Sequence, residues 1–112
     1  MTARPVRLRE LAARDVEKAL DDYLREGGTR PARGFVAALE RALRHIGRYP
    51  ESGSPRYARL LDIPDLRFWP LGRSPYLVFY LERRDYVDVW RVLHAQRDLP
   101  GSIKEESAPP PW

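Results

Sequence analysis

The segment Tyr76-Leu77-Val78-Phe79-Tyr80-Leu81-Glu82-Arg83-Arg84-Asp85-Tyr86-Val87-Asp88-Val89-Trp90-Arg91-Val92-Leu93-His94-Ala95 decides the fold. Two runs dense in β-branched and aromatic residues flank the polar Arg83-Arg84-Asp85, which reads as two strands, Tyr76 to Glu82 and Tyr86 to Ala95, joined by a tight turn. A third such run, Leu66 to Leu71, precedes them across Gly72-Arg73-Ser74-Pro75, and links this short predict an antiparallel meander. Side chains alternate across a strand, so the two faces can be assigned. The odd positions Leu77, Phe79, Leu81, Val87, Val89 and Leu93 are chiefly aliphatic and are expected to pack on helices. The even positions Tyr76, Tyr80, Tyr86, Trp90 and His94 carry polar tips and are expected to form the face open to a ligand or partner. Arg91 breaks the pattern: it either pairs with an acidic helix residue or sits at the rim of the sheet.

Upstream, Val6 to Arg9 alternates as a first strand. From Leu11 the period changes. Ala12, Val16, Ala19, Leu20, Tyr23 and Leu24 recur at three- and four-residue steps, the mark of an amphipathic helix, and Gly27-Gly28 should end it. Thr29 and Pro31 open a second helix, whose stripe of Phe35, Leu39, Ala42, Leu43 and Ile46 runs to the stop at Tyr49-Pro50. Helices joined so closely should lie antiparallel. Pro50 to Pro64 reads as a loop, with Leu60, Leu61 and Ile63 as anchors back to the core. The order strand, helix, helix, strand, strand, strand predicts an α+β domain over residues 1–100, an antiparallel sheet packed on an α-helical hairpin. Gly101 to Trp112, with three consecutive prolines, is expected to be a flexible tail.

The 112 residues allow one core, and 43% apolar with 32% charged content is that of a globular chain. With no cysteine there is neither a disulfide framework nor a thiolate metal site, which fits a reducing cytosol. The longest apolar run, Tyr76 to Leu81, is too short to cross a bilayer, so a soluble cytoplasmic protein is expected. Of 20 basic residues only Lys18 and Lys104 are lysines, against 16 acidic ones. The arginine bias suits an acidic partner, protein or nucleic acid, or reflects a proteome that writes Arg for Lys. The arginines are spread along the chain with no dense run, which disfavours a general nucleic-acid binder.

Several local patterns, in their joint order and spacing, resemble the ParE branch of the RelE/ParE toxin superfamily over roughly residues 5 to 100. They are the helix opening Leu11-Ala12-Ala13-Arg14-Asp15-Val16, and the second helix running into Tyr49-Pro50-Glu51-Ser52-Gly53-Ser54. Asp65-Leu66-Arg67 ahead of Pro75-Tyr76-Leu77-Val78-Phe79-Tyr80, and the ending Arg91-Val92-Leu93-His94-Ala95-Gln96-Arg97-Asp98, complete the set. The resemblance implies the toxin of a type II toxin–antitoxin system, held as a hetero-oligomer by a cognate antitoxin whose arm wraps it. It also implies a target. ParE-type members poison DNA gyrase, whereas RelE-type members cut messenger RNA on the ribosome, and the shared fold does not choose between them.

The residues lean toward the first. Cutting RNA through its own 2′-hydroxyl takes a base, an acid and cations on the phosphate. Where the resemblance places a catalytic arginine, this chain has Tyr76, and neither lysine falls on the sheet; Arg67 and Arg91 are the cations that could compensate. His94 could be a general base, but a lone strand-end histidine is more often a structural hydrogen-bonding residue, and His45 reads as surface. No catalytic residue, cofactor or metal is expected. The target-binding candidates are Arg67, Tyr76, Trp90, Arg91, His94 and Arg97, with Trp90 equally fit for the core. The antitoxin-binding candidates are Leu20, Leu24 and Phe35, each of which could instead be core.

Overall fold

The computed structural model describes residues 3–99; the expected tail, 101–112, lies outside them. The chain runs through strand β1 (Val6–Leu8), helix α1 (Glu10–Gly27), helix α2 (Thr29–Arg48), a single 3-10 turn (Pro50–Ser52), and strands β2 (Arg67–Pro70), β3 (Tyr76–Glu82) and β4 (Val87–His94). The two helices are separated by Gly28 alone. Its φ of 85° is one that L side chains avoid, and its N–H donates to the carbonyls of Tyr23 and Leu24 at 3.1 Å, closing α1 as α2 begins.

The sheet order is β1-β4-β3-β2. The last three strands form the expected antiparallel meander, and β1 joins beside β4 in parallel, Val6 opposite Val87 and Leu8 opposite Val89, so the sheet is mixed. The parallel sense follows from the path: the helical hairpin carries the chain across one face before it returns through β2 and β3.

The assignment of faces is corrected. Tyr76, Val78 and Tyr80 of β3 point into the helix-side core with Ala19, Phe35, Leu39 and Ile46, and are buried. Phe79, Leu81 and Leu93 point the other way, into a second core with Tyr57, Leu66 and Leu99. That face is not open: the segment between β2 and the 3-10 turn folds over it, seating Leu60, Leu61 and Ile63 as the loop anchors expected of them. Alternation misled because Phe79 opposes Arg91 while Tyr80 opposes Val89, which leaves Trp90 as an extra residue in β4. This bulge reverses the parity, so odd-numbered Val87 and Val89 and then even-numbered Val92 all face the helices.

One buried carboxylate ties the strand ends together. Asp88 Oδ1 and Oδ2 accept from Arg9 Nε and Nη2 at 2.9 and 2.8 Å, and Oδ2 also accepts from Arg83 at 3.0 and 3.1 Å, joining the β1–α1 junction to the β3–β4 turn. The Arg9 bond, helped by Arg83 and opposed by burial, holds the Asp88 carboxyl below the usual carboxylate range. A carboxyl so lowered stabilises the fold above its unfolded pKa and ceases to as pH falls below about 4. Because both arginines are partly exposed, Asp88→Asn is expected to cost about 1–2 kcal/mol at pH 7. In urea melts the gap between the variant and the parent should narrow at pH 3; a gap of constant size would show that the carboxylate's charge does not act this way.

Candidate functional site

The principal cleft, about 610 Å³, opens between α1 and the C-terminal end of β4. Asp15, Lys18 and Asp22 recur at three- and four-residue steps, which sets them on one face of α1 above the sheet. Across from them stand Arg91 and Val92 of β4, then Arg97 and Asp98 of the turn that follows. Arg91 Nε and Nη2 donate to the two Asp15 oxygens at 2.7 and 2.9 Å, and Asp15 Oδ2 also accepts from the Val92 N–H at 3.0 Å. Of the two places open to Arg91, the structure thus gives it the acidic helix partner. The Asp15 bond, partly offset by burial, raises the Arg91 pKa, so the guanidinium is fully charged.

Tyr76 lines the inner end of the cleft. It is 4% exposed, its ring packed on Phe35 and Tyr23 at 5.3 and 6.1 Å. Burial raises its hydroxyl pKa, and that hydroxyl accepts from Arg97 Nη2 at 3.1 Å. Arg97 lies 3.7 Å from Asp22. His94 meets Tyr76 edge-on at 5.2 Å, and its Nδ1 accepts from the N–H groups of Gln96 and Arg97 at 3.0 and 3.1 Å. Its own backbone N–H donates to Asp98 at 2.7 Å. The histidine thereby shapes the turn that carries Arg97, which is the structural role favoured for it.

Four of the six target candidates, Tyr76, Arg91, His94 and Arg97, are therefore brought together, but Tyr76 as a core residue with only its hydroxyl rim at the cleft. The other two lie elsewhere. Arg67 on β2 donates to the Gly53 carbonyl at 2.7 Å, and half-buried Trp90 stands edge-on to Phe79 at 6.0 Å in the second core. Asp15, Lys18, Asp22 and Asp98 were missed; the helical spacing of the first three was the signal that could have found them. His45, read as surface, is half-buried, stacked on Trp69 at 4.0 Å and hydrogen-bonded to Ser52 at 2.9 Å.

A second groove, about 410 Å³, runs along the helical hairpin between Leu20, Ala32, Val36 and Ala37. Leu20 forms part of its wall, and Leu24 is 49% exposed on the same hairpin. Phe35 takes the core alternative open to it, at 3% exposure, its ring clamped between Tyr23 and Tyr76. Among the described residues no cluster of three His, Asp or Glu could hold a metal ion, and no helix is long and apolar enough to cross a membrane.

The architecture has a solved counterpart. The chain is similar to a structure described as the chromosomal ParDE toxin–antitoxin system from P. aeruginosa, with a TM-score of 0.70 over 84% of this chain and 98% of that one, at 17% identity. No curated protein sequence matches the chain. The family model described as ParE toxin of type II toxin–antitoxin system, parDE, matches residues 6–99, and the chain belongs to this ParE toxin family.

Proposed function

We propose that the chain poisons DNA gyrase by binding it through the cleft between α1 and β4, and that a cognate antitoxin neutralises it by laying an apolar arm on the helical hairpin. The observation that carries the target reading is the charge balance of the cleft. Three cations, Lys18, Arg91 and Arg97, face three carboxylates, Asp15, Asp22 and Asp98, and the two arginines already lie against two of them. RNA cleavage develops charge on a crowded phosphate and calls for cations in excess. Here the sum is zero. His94 Nδ1, the basic nitrogen, is engaged by two backbone N–H groups and would have to break both to take a proton. A neutral cleft of fixed, alternating charges suits an interface with a complementary protein surface. Family membership supports gyrase as that protein, and the exposed Leu24 beside the Leu20 groove supports an amphipathic antitoxin arm.

The test is a gyrase supercoiling and cleavage assay with the chain freed from co-purifying antitoxin. Dose-dependent inhibition with trapped cleaved DNA, relieved by antitoxin, is expected. Arg97→Glu, which leaves Asp22 facing a like charge and alters the rim of the cleft, should weaken inhibition at least tenfold, about 1.4 kcal/mol. No inhibition by folded protein, or full potency in Arg97→Glu, would refute the cleft-to-gyrase reading and direct attention to ribosome-dependent RNA cleavage.

A further inference from the structure

The arginines that look scattered along the chain are gathered by α2. Arg30, Arg33, Arg41, Arg44 and Arg48 are all exposed. At 3.6 residues per turn they fall within an arc of about 80° and a length of about 27 Å. The one acidic residue of the helix, Glu40, lies at the border of that arc, with its carboxylate 4.0 Å from Arg44. α1 is the opposite: six acidic residues (Glu10, Asp15, Glu17, Asp21, Asp22, Glu26) against three basic (Arg14, Lys18, Arg25). The hairpin therefore presents one acidic and one strongly basic helix to solvent. Ala37 falls within the basic arc and Gly34 at its edge, both exposed, and the space where a Gly34 side chain would project is open. Among the described residues, Arg44 is the one member of the guanidinium row with a carboxylate within 4.0 Å. At its C-terminal end Arg41 shares a recess of about 250 Å³ with the stacked His45 and Trp69 rings, and half-exposed Tyr49 lies 5.4 Å from His45.

We infer that this face of α2 is a DNA-binding surface that grips the phosphate backbone without reading sequence. A row of five forked donors matches the dense line of phosphates along a duplex, which offers one negative charge per about 1.7 Å. An acidic protein segment fits less well, because the arc holds no large apolar side chain to anchor one; the apolar groove lined by Leu20 and Val36 borders the arc along Arg33 and Ala37 but leaves Arg30, Arg41, Arg44 and Arg48 outside its lining. The surface is separate from the α1–β4 cleft, and the inference stands whatever protein that cleft binds.

The experiment is fluorescence anisotropy of a labelled duplex of about 20 base pairs and arbitrary sequence with the antitoxin-free full chain, from about 50 to about 200 mM salt. Five phosphate contacts predict a log–log slope near about −4.5 and a loss of affinity of about 500-fold over that range. The triple variant Arg41→Ala, Arg44→Ala, Arg48→Ala should lower the slope by about 2.7, its triple Lys counterpart should keep most of it, and Arg14→Ala on α1 should leave it unchanged. Circular dichroism establishes that each variant is folded. Absence of salt-dependent binding at the low-salt end, or an unaltered slope in the folded triple Ala variant, would overturn the proposal. A polyglutamate peptide that displaces the duplex at equal charge concentration would overturn it in favour of an acidic protein partner; failure of the peptide to compete supports DNA.

Discussion

Tyr80→Phe, the loss of one oxygen, is expected to lower the stability of the domain by about 2–4 kcal/mol, because two buried backbone groups lose their partner at once. Tyr80 is wholly buried at the centre of the sheet, and its hydroxyl accepts from the Gly53 N–H at 2.9 Å and donates to the Pro50 carbonyl at 2.7 Å. That single group fixes the chain as it leaves α2 and turns back over the sheet. For a domain of this size the loss corresponds to a fall in melting temperature of about 10–25 °C. Gly53 belongs to the same contact: a Cβ there would lie 2.2 Å from the Tyr80 oxygen, so Gly53→Ala should destabilise severely in the parent and less in a chain that already carries Tyr80→Phe. Additive costs would show that the two residues are independent. A pH profile separates hydrogen bonding from packing. Burial raises the Tyr80 hydroxyl pKa, so the folded state holds this proton longer than the unfolded chain, and the stability present below about pH 10 is lost as pH climbs beyond it. Tyr76, raised for the same reason, contributes in the same direction. Tyr80→Phe should therefore flatten part of the alkaline limb; a variant whose limb equals the parent's would contradict this account.

The second large effect is expected at the wall of the cleft. Asp15→Ala removes both acceptors of Arg91 and the partner of the Val92 N–H, leaving a guanidinium whose side chain is 31% exposed without its counter-charge. A full loss of a buried pair costs about 3–5 kcal/mol, and the residual access of water reduces that to about 2–3 kcal/mol. Arg91→Ala should cost less, because Asp15 keeps its backbone donor. A double-mutant cycle should return a coupling above about 1 kcal/mol. Coupling near zero would mean that the ion pair does not hold α1 on β4. Since both residues also line the cleft proposed to bind gyrase, inhibition by Asp15→Ala and Arg91→Ala should on that reading fall more steeply than melting temperature does.

Much of the fold was legible because its signals are local. The switch from period two to period 3.6 after Arg9, the Gly27-Gly28 break, the Pro50 stop and the two short links between strands each announce an element by sterics alone. What escaped depends on residues distant in the chain. Which side of the sheet the helices cover turned on Trp90, an extra residue in β4 that no alternation rule marks, and Tyr76 and Tyr80 went to the wrong face as a result. Their hydroxyls misled further: a polar tip reads as wet, whereas here it completes a buried backbone bond or meets Arg97. The cleft was half legible. Arg91, His94 and Arg97 come from one continuous segment, but their partners Asp15 and Asp22 lie on a helix far upstream, Asp15 preceding Arg91 by 76 positions. The basic stripe of α2 was in view as well, at the same helical spacing used to find the core, and was hidden only by asking for a dense run.

The parallel pairing of β1 with β4 bears on how such a protein comes into being on the ribosome. Val6 waits for Val87, which is 81 residues later (87 − 6), while β2 and β3 can pair and the two helices can pack on one another much sooner. Closing so long a loop is slow, and the strand that supplies both neighbours, β1 on one side and β3 on the other, is the last to emerge. Any nascent chain that stops short of Val87 has neither Arg91 nor Arg97 to face Asp15 and Asp22. The β4 wall of the cleft is thus acquired late and all at once.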